Sequence, residues 1–236
     1  MVWIGGYPKS GTTWLKFIVA GLLYRTNKPK KVESLIPNKI KPETLKDGIY
    51  KVLYFPPLDG KKLYIVRHPV DICVSGINHK ALYGGKTDIK RNFKRFIKSK
   101  GNVIKDYGVW EDHIKSWVNS DDCYWLKYED LLKDTHQKTK EIAAFIGADI
   151  KNVEYTLKAT SFKAMRKLEN KNIVGKKKNI PNVFYNPKHK GYKKGLRFIN
   201  KGKSGVAGEV LNRKQIDIIC ETFKEGIRLL GYETLY

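Results

Sequence analysis

Cysteine, arginine, acidic residues and long apolar runs are all scarce in this chain, and each shortage removes a class of function. The three cysteines, Cys73, Cys123 and Cys220, are odd in number and widely spaced, with no C-x-x-C pair. Neither a disulfide framework nor a zinc site is expected from them. The longest apolar stretch, Phe17 to Tyr24 with Gly21 counted as neutral, is far too short to span a bilayer. No secretory leader is expected either, because a glycine-bounded turn begins close to Met1 and cleavage would destroy it. The expected compartment is reducing and cytoplasmic. Acidic residues number 23 against 47 Lys and Arg, for a formal net charge of +24. That balance invites a nucleic-acid partner, yet only eight of the basic residues are arginine, and the lysines are spread along the whole chain rather than gathered into forked patches. No nucleic-acid partner is expected. Solvated lysine-rich faces account for the charge, a polyanionic or membrane-surface acceptor stays open, and steering of a multiply charged nucleotide follows either way.

What is present is concentrated near the start. Gly5 to Leu15 reads GGYPKSGTTWL, a turn rich in glycine, lysine and hydroxyl groups between a short apolar run and a helical pattern. Glycines there let backbone N–H groups approach an anion, and the helix that follows turns its positive end toward the same place. The expected ligand is a phosphorylated nucleotide. A Walker A loop would carry lysine directly after its second glycine, but Thr12 stands there and the lysine lies inside the turn as Lys9.

The 236 residues suit one α/β domain over 1–236, with no internal repeat. Strands are expected at Val2 to Gly5, Tyr50 to Phe55, Leu63 to Val66 and Cys123 to Lys127. Helices are expected at about Thr12 to Arg25, Val70 to Ala81, Tyr107 to Val118, Lys133 to Ile146, Lys151 to Lys158 and Asn212 to Leu230. Pro29 to Asp47 reads as a connection or partly helical segment. Alternation of strands and helices implies a central parallel sheet flanked by helices in a P-loop-like domain. Between Glu169 and Gly208 the pattern dissolves into Lys, Asn and Gly, which predicts a flexible basic loop able to act as a lid.

A second phosphate signal lies at R-H-P-V-D-I-C-V-S, where Arg67 ends a strand and Ser75 follows eight residues later on the next helix. Both can meet one phosphate at the carboxyl ends of parallel strands. Taken together, Y-P-K-S-G-T-T-W and Arg67…Ser75 resemble the 5′- and 3′-phosphate motifs of sulfotransferases that use 3′-phosphoadenosine 5′-phosphosulfate (PAPS) and release adenosine 3′,5′-bisphosphate (PAP). Lys127-Tyr128-Glu129-Asp130-Leu131-Leu132 and Thr160-Ser161-Phe162-Lys163-Ala164-Met165 resemble two further family segments. The resemblance runs from Val2 to about Gly205. It implies that Ser10, Gly11, Thr12 and Thr13 hold the 5′-phosphate and Arg67 and Ser75 the 3′-phosphate. It also implies that Trp14 stacks on adenine, with Tyr128, Thr160 and Phe162 beside it. Asn200-Lys201-Gly202 is similar to the family's R-K-G closing segment, with Asn200 in place of the arginine.

In-line sulfuryl transfer needs positioning and charge neutralisation more than covalent chemistry, so no metal is expected and Lys9 is the candidate for stabilising the leaving oxygen. The base is the open position. The family's K-T-H strand reads Lys51-Val52-Leu53 here, which leaves Lys51 as a donor-side contact and no histidine. His79, one helical turn past Ser75, is the first substitute and Glu33 the second. His113 is expected to be structural. The acceptor, a small molecule or a glycan, and the oligomeric state are not specified by any motif. A P-loop small-molecule or nucleoside kinase is the alternative, with a basic RNA-binding protein third.

Overall fold

The computed structural model describes residues 1–36, 48–51, 56–57, 59–84, 87–102, 107–174 and 190–236. Among the described residues four strands form one parallel sheet: β1 (Val2–Gly6), β2 (Ile49–Lys51), β3 (Lys61–Val66) and β4 (Cys123–Lys127), in the order β2-β1-β3-β4. Gly6 pairs with Ile65 and Val66 with Lys127, so the carboxyl ends of β1, β3 and β4 lie level. The expected strands are there. β3 starts two residues early because the stem of Lys62 is buried while its ammonium donates to the carbonyls of Asp121 (2.9 Å) and Gly60 (3.3 Å), which lets a lysine serve as an interior strand residue. The expected continuation of β2 through 52–55 lies outside the described residues.

The helices are α1 (Thr12–Tyr24), α2 (Pro29–Leu35), α3 (Pro69–Gly84), α4 (Ile89–Lys98), α5 (Trp110–Val118), α6 (Tyr128–Lys133), α7 (Thr135–Ile146), α8 (Val153–Thr160), α9 (Phe162–Val174), α10 (Lys190–Lys193), α11 (Arg213–Thr222) and α12 (Lys224–Leu229). They cover both faces of the sheet. Leu63 and Ile65 join Leu15, Ile18, Leu131 and Ile142 on one side. Tyr64 and Val66, the alternate residues, join Val70, Trp110, Trp117 and Phe223 on the other. Gly5 is needed where it stands, because a side chain there would meet the Trp117 ring at 2.4 Å. Trp117 stacks on Tyr64 at 4.9 Å, and the Tyr64 hydroxyl is 2.9 Å from His113 Nδ1, so His113 sits in the core. No described helix is long and apolar enough to cross a membrane.

Three departures from expectation have local causes. The single helix expected at 212–230 is broken at Phe223 (φ −118°), whose ring is buried between Trp110 and Phe96. Glu111 then accepts from the Gly226 N–H at 2.8 Å and satisfies an orphan donor of the second piece. α4 was not anticipated; Asp88 caps it by accepting from the Arg91 N–H, and only Phe93 and Phe96 are buried in a basic run. The first residues of the loop expected from 169 are helical instead, since α9 runs on to Val174. Residues 175–189 lie outside the described residues, and 190–208 hold α10 and a stretch tied back to the body.

Candidate active site

Between β1 and α1 the chain makes a tight turn in which the Ser10 N–H donates to the Tyr7 carbonyl at 3.0 Å. Lys9 (φ 76°) and Gly11 (φ 102°) are left-handed. Any side chain at Gly11 would strike the Tyr128 ring at 2.7 Å, so only glycine fits. Gly11 is also the N-cap of α1 and offers no side chain to the first turn; the amides there stay available to an anion. Ser10 is fully buried, and its Oγ has no hydrogen-bond partner among the described residues.

Two cations meet over this turn. Lys9 Nζ lies 4.4 Å from the centroid of the Phe198 ring. Burial drags its pKa down to about 7, Arg67 and Lys51 push the same way, and the Glu169 carboxylate opposes them. Arg67, leaving the end of β3, stacks on Tyr128 (4.3 Å to the centroid) and donates to the Lys203 carbonyl (3.0 Å) and the Lys9 carbonyl (3.4 Å). Its Nε is buried without a partner among the described residues. A buried guanidinium N–H and a buried hydroxyl without partners, beside an ammonium held at an unfavourable pKa, are what an anion-binding site leaves when only protein groups surround it.

Lys9 and Arg67 border a cavity of about 940 Å³ at the carboxyl ends of β1 and β3, where the chain connects to opposite sides of the sheet and α/β folds place their ligands. Lys9, Gly11, Thr12, Thr13, Trp14, Lys51, Arg67, Ser75, His79, Tyr128, Thr160, Phe162, Asn200, Lys201 and Gly202 all line it. Ser10 and Glu33 do not. Glu33 is held instead by Lys16 in a 2.8 Å ion pair, and Lys51, on the wall, has its pKa lowered to about 8 by burial and the nearby Lys16, against the pull of Glu33. His79 is buried, edge-on to Tyr83 at 5.1 Å, on the same wall as Ser75. Trp14 Nε1 donates to the Thr160 carbonyl at 3.0 Å and meets Tyr128 edge-on. Phe162 is exposed, and Gly202 lies so close that a side chain there would meet its ring at 2.4 Å.

Residues 54–231 match the family described as Sulfotransferase domain. The chain belongs to the sulfotransferase family. Mouse sulfotransferase 2A1 is 30% identical over 251 residues, covering 93% of this chain and 81% of that protein. The 3-beta-hydroxysteroid sulfotransferase of Cavia porcellus is 30% identical over 193 residues, 70% and 66% of the two chains. Among solved structures, mouse sulfotransferase SULT7A1 complexed with PAP superposes with a TM-score of 0.69 at 23% identity, over 98% of this chain and 84% of that one. Retinol dehydratase in complex with androsterone and inactive cofactor PAP gives 0.66 at 20%, over 96% and 80%. This sulfotransferase therefore has the P-loop-like α/β fold expected from its sequence, and its reaction is sulfuryl transfer from PAPS. Neither the family match nor these relatives support the kinase alternative.

Around the motifs of this sulfotransferase lies a set of acidic partners that its sequence did not announce. Asp71, in the first turn of α3, is buried and accepts from the Tyr236 hydroxyl at 2.7 Å and from Ser204 Oγ, with Arg67 Nη2 at 3.8 Å. Glu129 accepts from the Tyr232 hydroxyl (2.5 Å), Ser204 Oγ (3.2 Å) and the His68 N–H (3.3 Å); burial pushes its carboxyl pKa up. Asp71 lies at i+4 from Arg67 on a helix start, a spacing that could have flagged it. Nothing local flags Glu129.

Proposed function

We propose that this enzyme transfers sulfate to the hydroxyl of a small, largely apolar alcohol in the cytoplasm, as one catalytic domain spanning 1–236. PAPS, when bound, supplies a sulfuryl group already activated by its anhydride link to phosphate. Supporting the donor assignment is one observation above the rest: Lys9 and Arg67 line a single cavity, and Arg67 Nε and the Oγ of Ser10, next to Lys9 in the turn, are buried without partners among the described residues. Ser10, Thr12, Thr13 and the amides after Gly11 would hold the 5′-phosphate, and Arg67, Ser75, Lys201 and the Gly202 backbone the 3′-phosphate. Trp14, Tyr128, Thr160 and Phe162 would receive the adenine. Lys9 stabilises charge on the leaving oxygen, aided by Lys51.

His79 is the base assigned to the acceptor proton, because it shares the wall with Ser75 on α3. Glu33 serves less well, since it does not line the cavity and its carboxylate is engaged by Lys16. The acceptor class rests on Pro8, Ile77, Ile89 and Tyr107, which give the same cavity apolar surface, and on the hydroxysteroid named for one relative. Thermal shift with PAP against ATP plus Mg²⁺ tests the donor: PAP should stabilise the protein more, and the reverse order overturns the assignment. His79→Gln should cut turnover by about a hundredfold with PAP affinity intact, and unchanged turnover removes His79 as base.

A further inference from the structure

We propose that Glu169 is a positioning residue, whose carboxylate holds the backbone of Phe198 and Ile199 so that the Phe198 ring meets Lys9 and Asn200 to Gly202 face the nucleotide. The proposal rests on the donor assignment above. Glu169 is fully buried on α9. Its two oxygens accept from successive backbone amides, Phe198 N at 2.5 Å and Ile199 N at 3.1 Å. A buried carboxylate is tolerated only where its charge is met by donors and cations, and here both oxygens are spent on one short stretch of loop. Two neighbours on α9, at the i−3 and i+1 positions, bind the same stretch. Arg166 Nη2 donates to the Asn200 carbonyl, and Asn170 Oδ1 accepts from Arg197 Nε at 2.8 Å.

Residues 197–202 contain no helix or strand of their own, so these contacts from α9, together with Asn78 Nδ2 of α3 donating to the Arg197 carbonyl at 3.2 Å, decide where the loop backbone runs. Phe198, Asn200, Lys201 and Gly202 all line the cavity, while Glu169 and Arg166 do not; the two act through the loop. Asn200 stands where the family resemblance expects a guanidinium, and Arg166 brings one to the backbone of that position. The groups facing Lys9 are Arg67 from the end of β3, Lys51 from β2 and Glu169 from α9. Those facing Glu169 are Arg166, Arg197, Tyr192 and Lys9. Among the described residues, Glu169 is the acid acting on Lys9, and it opposes the two cations.

The full-length Glu169→Gln protein tests this by calorimetric titration with PAP and with adenosine 5′-monophosphate, which lacks the 3′-phosphate. Competitive acetylation of Lys9, read by peptide mass spectrometry across pH, provides a second readout. The expected result is a PAP Kd raised about tenfold, a monophosphate Kd within about twofold of the parent, and a Lys9 titration midpoint moved to lower pH. Equal losses for both ligands would mean a general loosening and would overturn the proposal, as would unchanged PAP affinity or an unmoved Lys9 midpoint. Should the glutamine variant fail to fold, Arg166→Met, at a half-exposed site, replaces it. A selective PAP loss of about threefold supports the proposal, and an unchanged ratio of the two affinities overturns it. Failure of the parent protein to bind PAP would sink the donor assignment instead, so the two failures are distinct.

Discussion

The turn from Gly6 to Thr13 and the segment from Arg197 to Gly205 border one cavity, yet they are held in opposite ways. The first is local: its hydrogen bond joins Ser10 to Tyr7, its left-handed residues Lys9 and Gly11 are separated by Ser10 alone, and the helix after it supplies free amides. The second depends on distant side chains, with Glu169 gripping Phe198 and Ile199, Arg67 reaching the Lys203 carbonyl and Asp71 taking Ser204. A turn of the first kind depends less on residues elsewhere in the chain. The second kind is only as well placed as its remote anchors.

Substitutions can break this contrast in order of size. Lys9→Ala, within the local turn, should lower the rate of labelled sulfate transfer from PAPS to the apolar alcohol proposed as acceptor by about a hundredfold or more, with a smaller change in PAP Kd; a near-normal rate refutes the role given to Lys9. Arg67→Met strikes both regions at once, since Arg67 donates to Lys9 and Lys203 carbonyls alike, and should weaken PAP by roughly ten- to a hundredfold in calorimetry. An effect below about twofold would show that the guanidinium only braces the loop.

Titration separates the regions more gently. Burial depresses the pKa of Lys9 to about 7 and of Lys51 to about 8, while both regain the ordinary lysine value on unfolding. Between about pH 7 and 10 the unfolded chain therefore binds more protons, and these two lysines make the ligand-free protein more stable as pH rises through that window. PAP favours the protonated forms, so its thermal shift should shrink over the same window. A PAP shift that is flat from pH 6.5 to 9 contradicts an ammonium at the phosphate. Least of all, Asn200→Arg should tighten PAP by about threefold, and a loss of affinity would mean that Arg166 already occupies that space.

The same contrast explains what could be read in advance. All four strands, α1, α3 and the phosphate turn announce themselves through short-range pattern: apolar runs at β1 and β3, helical spacing from Leu15 to Leu22, glycines around Lys9. α4 escaped because its two buried phenylalanines are diluted by Lys and Arg. The break at Phe223 escaped because its cause, Trp110 with Glu111, lies more than a hundred residues earlier in the chain. The run from Glu169 to Val174 looked like loop by composition but is helix, and Glu169, at the edge of that composition shift, is an anchor. The ion pair of Glu33 with Lys16, which takes the carboxylate off the cavity wall, is likewise a tertiary fact.

Gly21 sits where α1 crosses α8, and a single methyl group there would meet Thr156 Oγ1 at 2.7 Å. α1 begins in the phosphate turn, α8 ends at Thr160, and the Trp14 indole bridges them. In the donor site proposed above, the spacing between the 5′-phosphate turn and the adenine wall therefore follows from a helix crossing, in the manner of a caliper locked at one opening. Prying that crossing apart by a residue larger than glycine would recalibrate the gauge, and the enzyme would misjudge the length of its donor before any group that touches it had been altered.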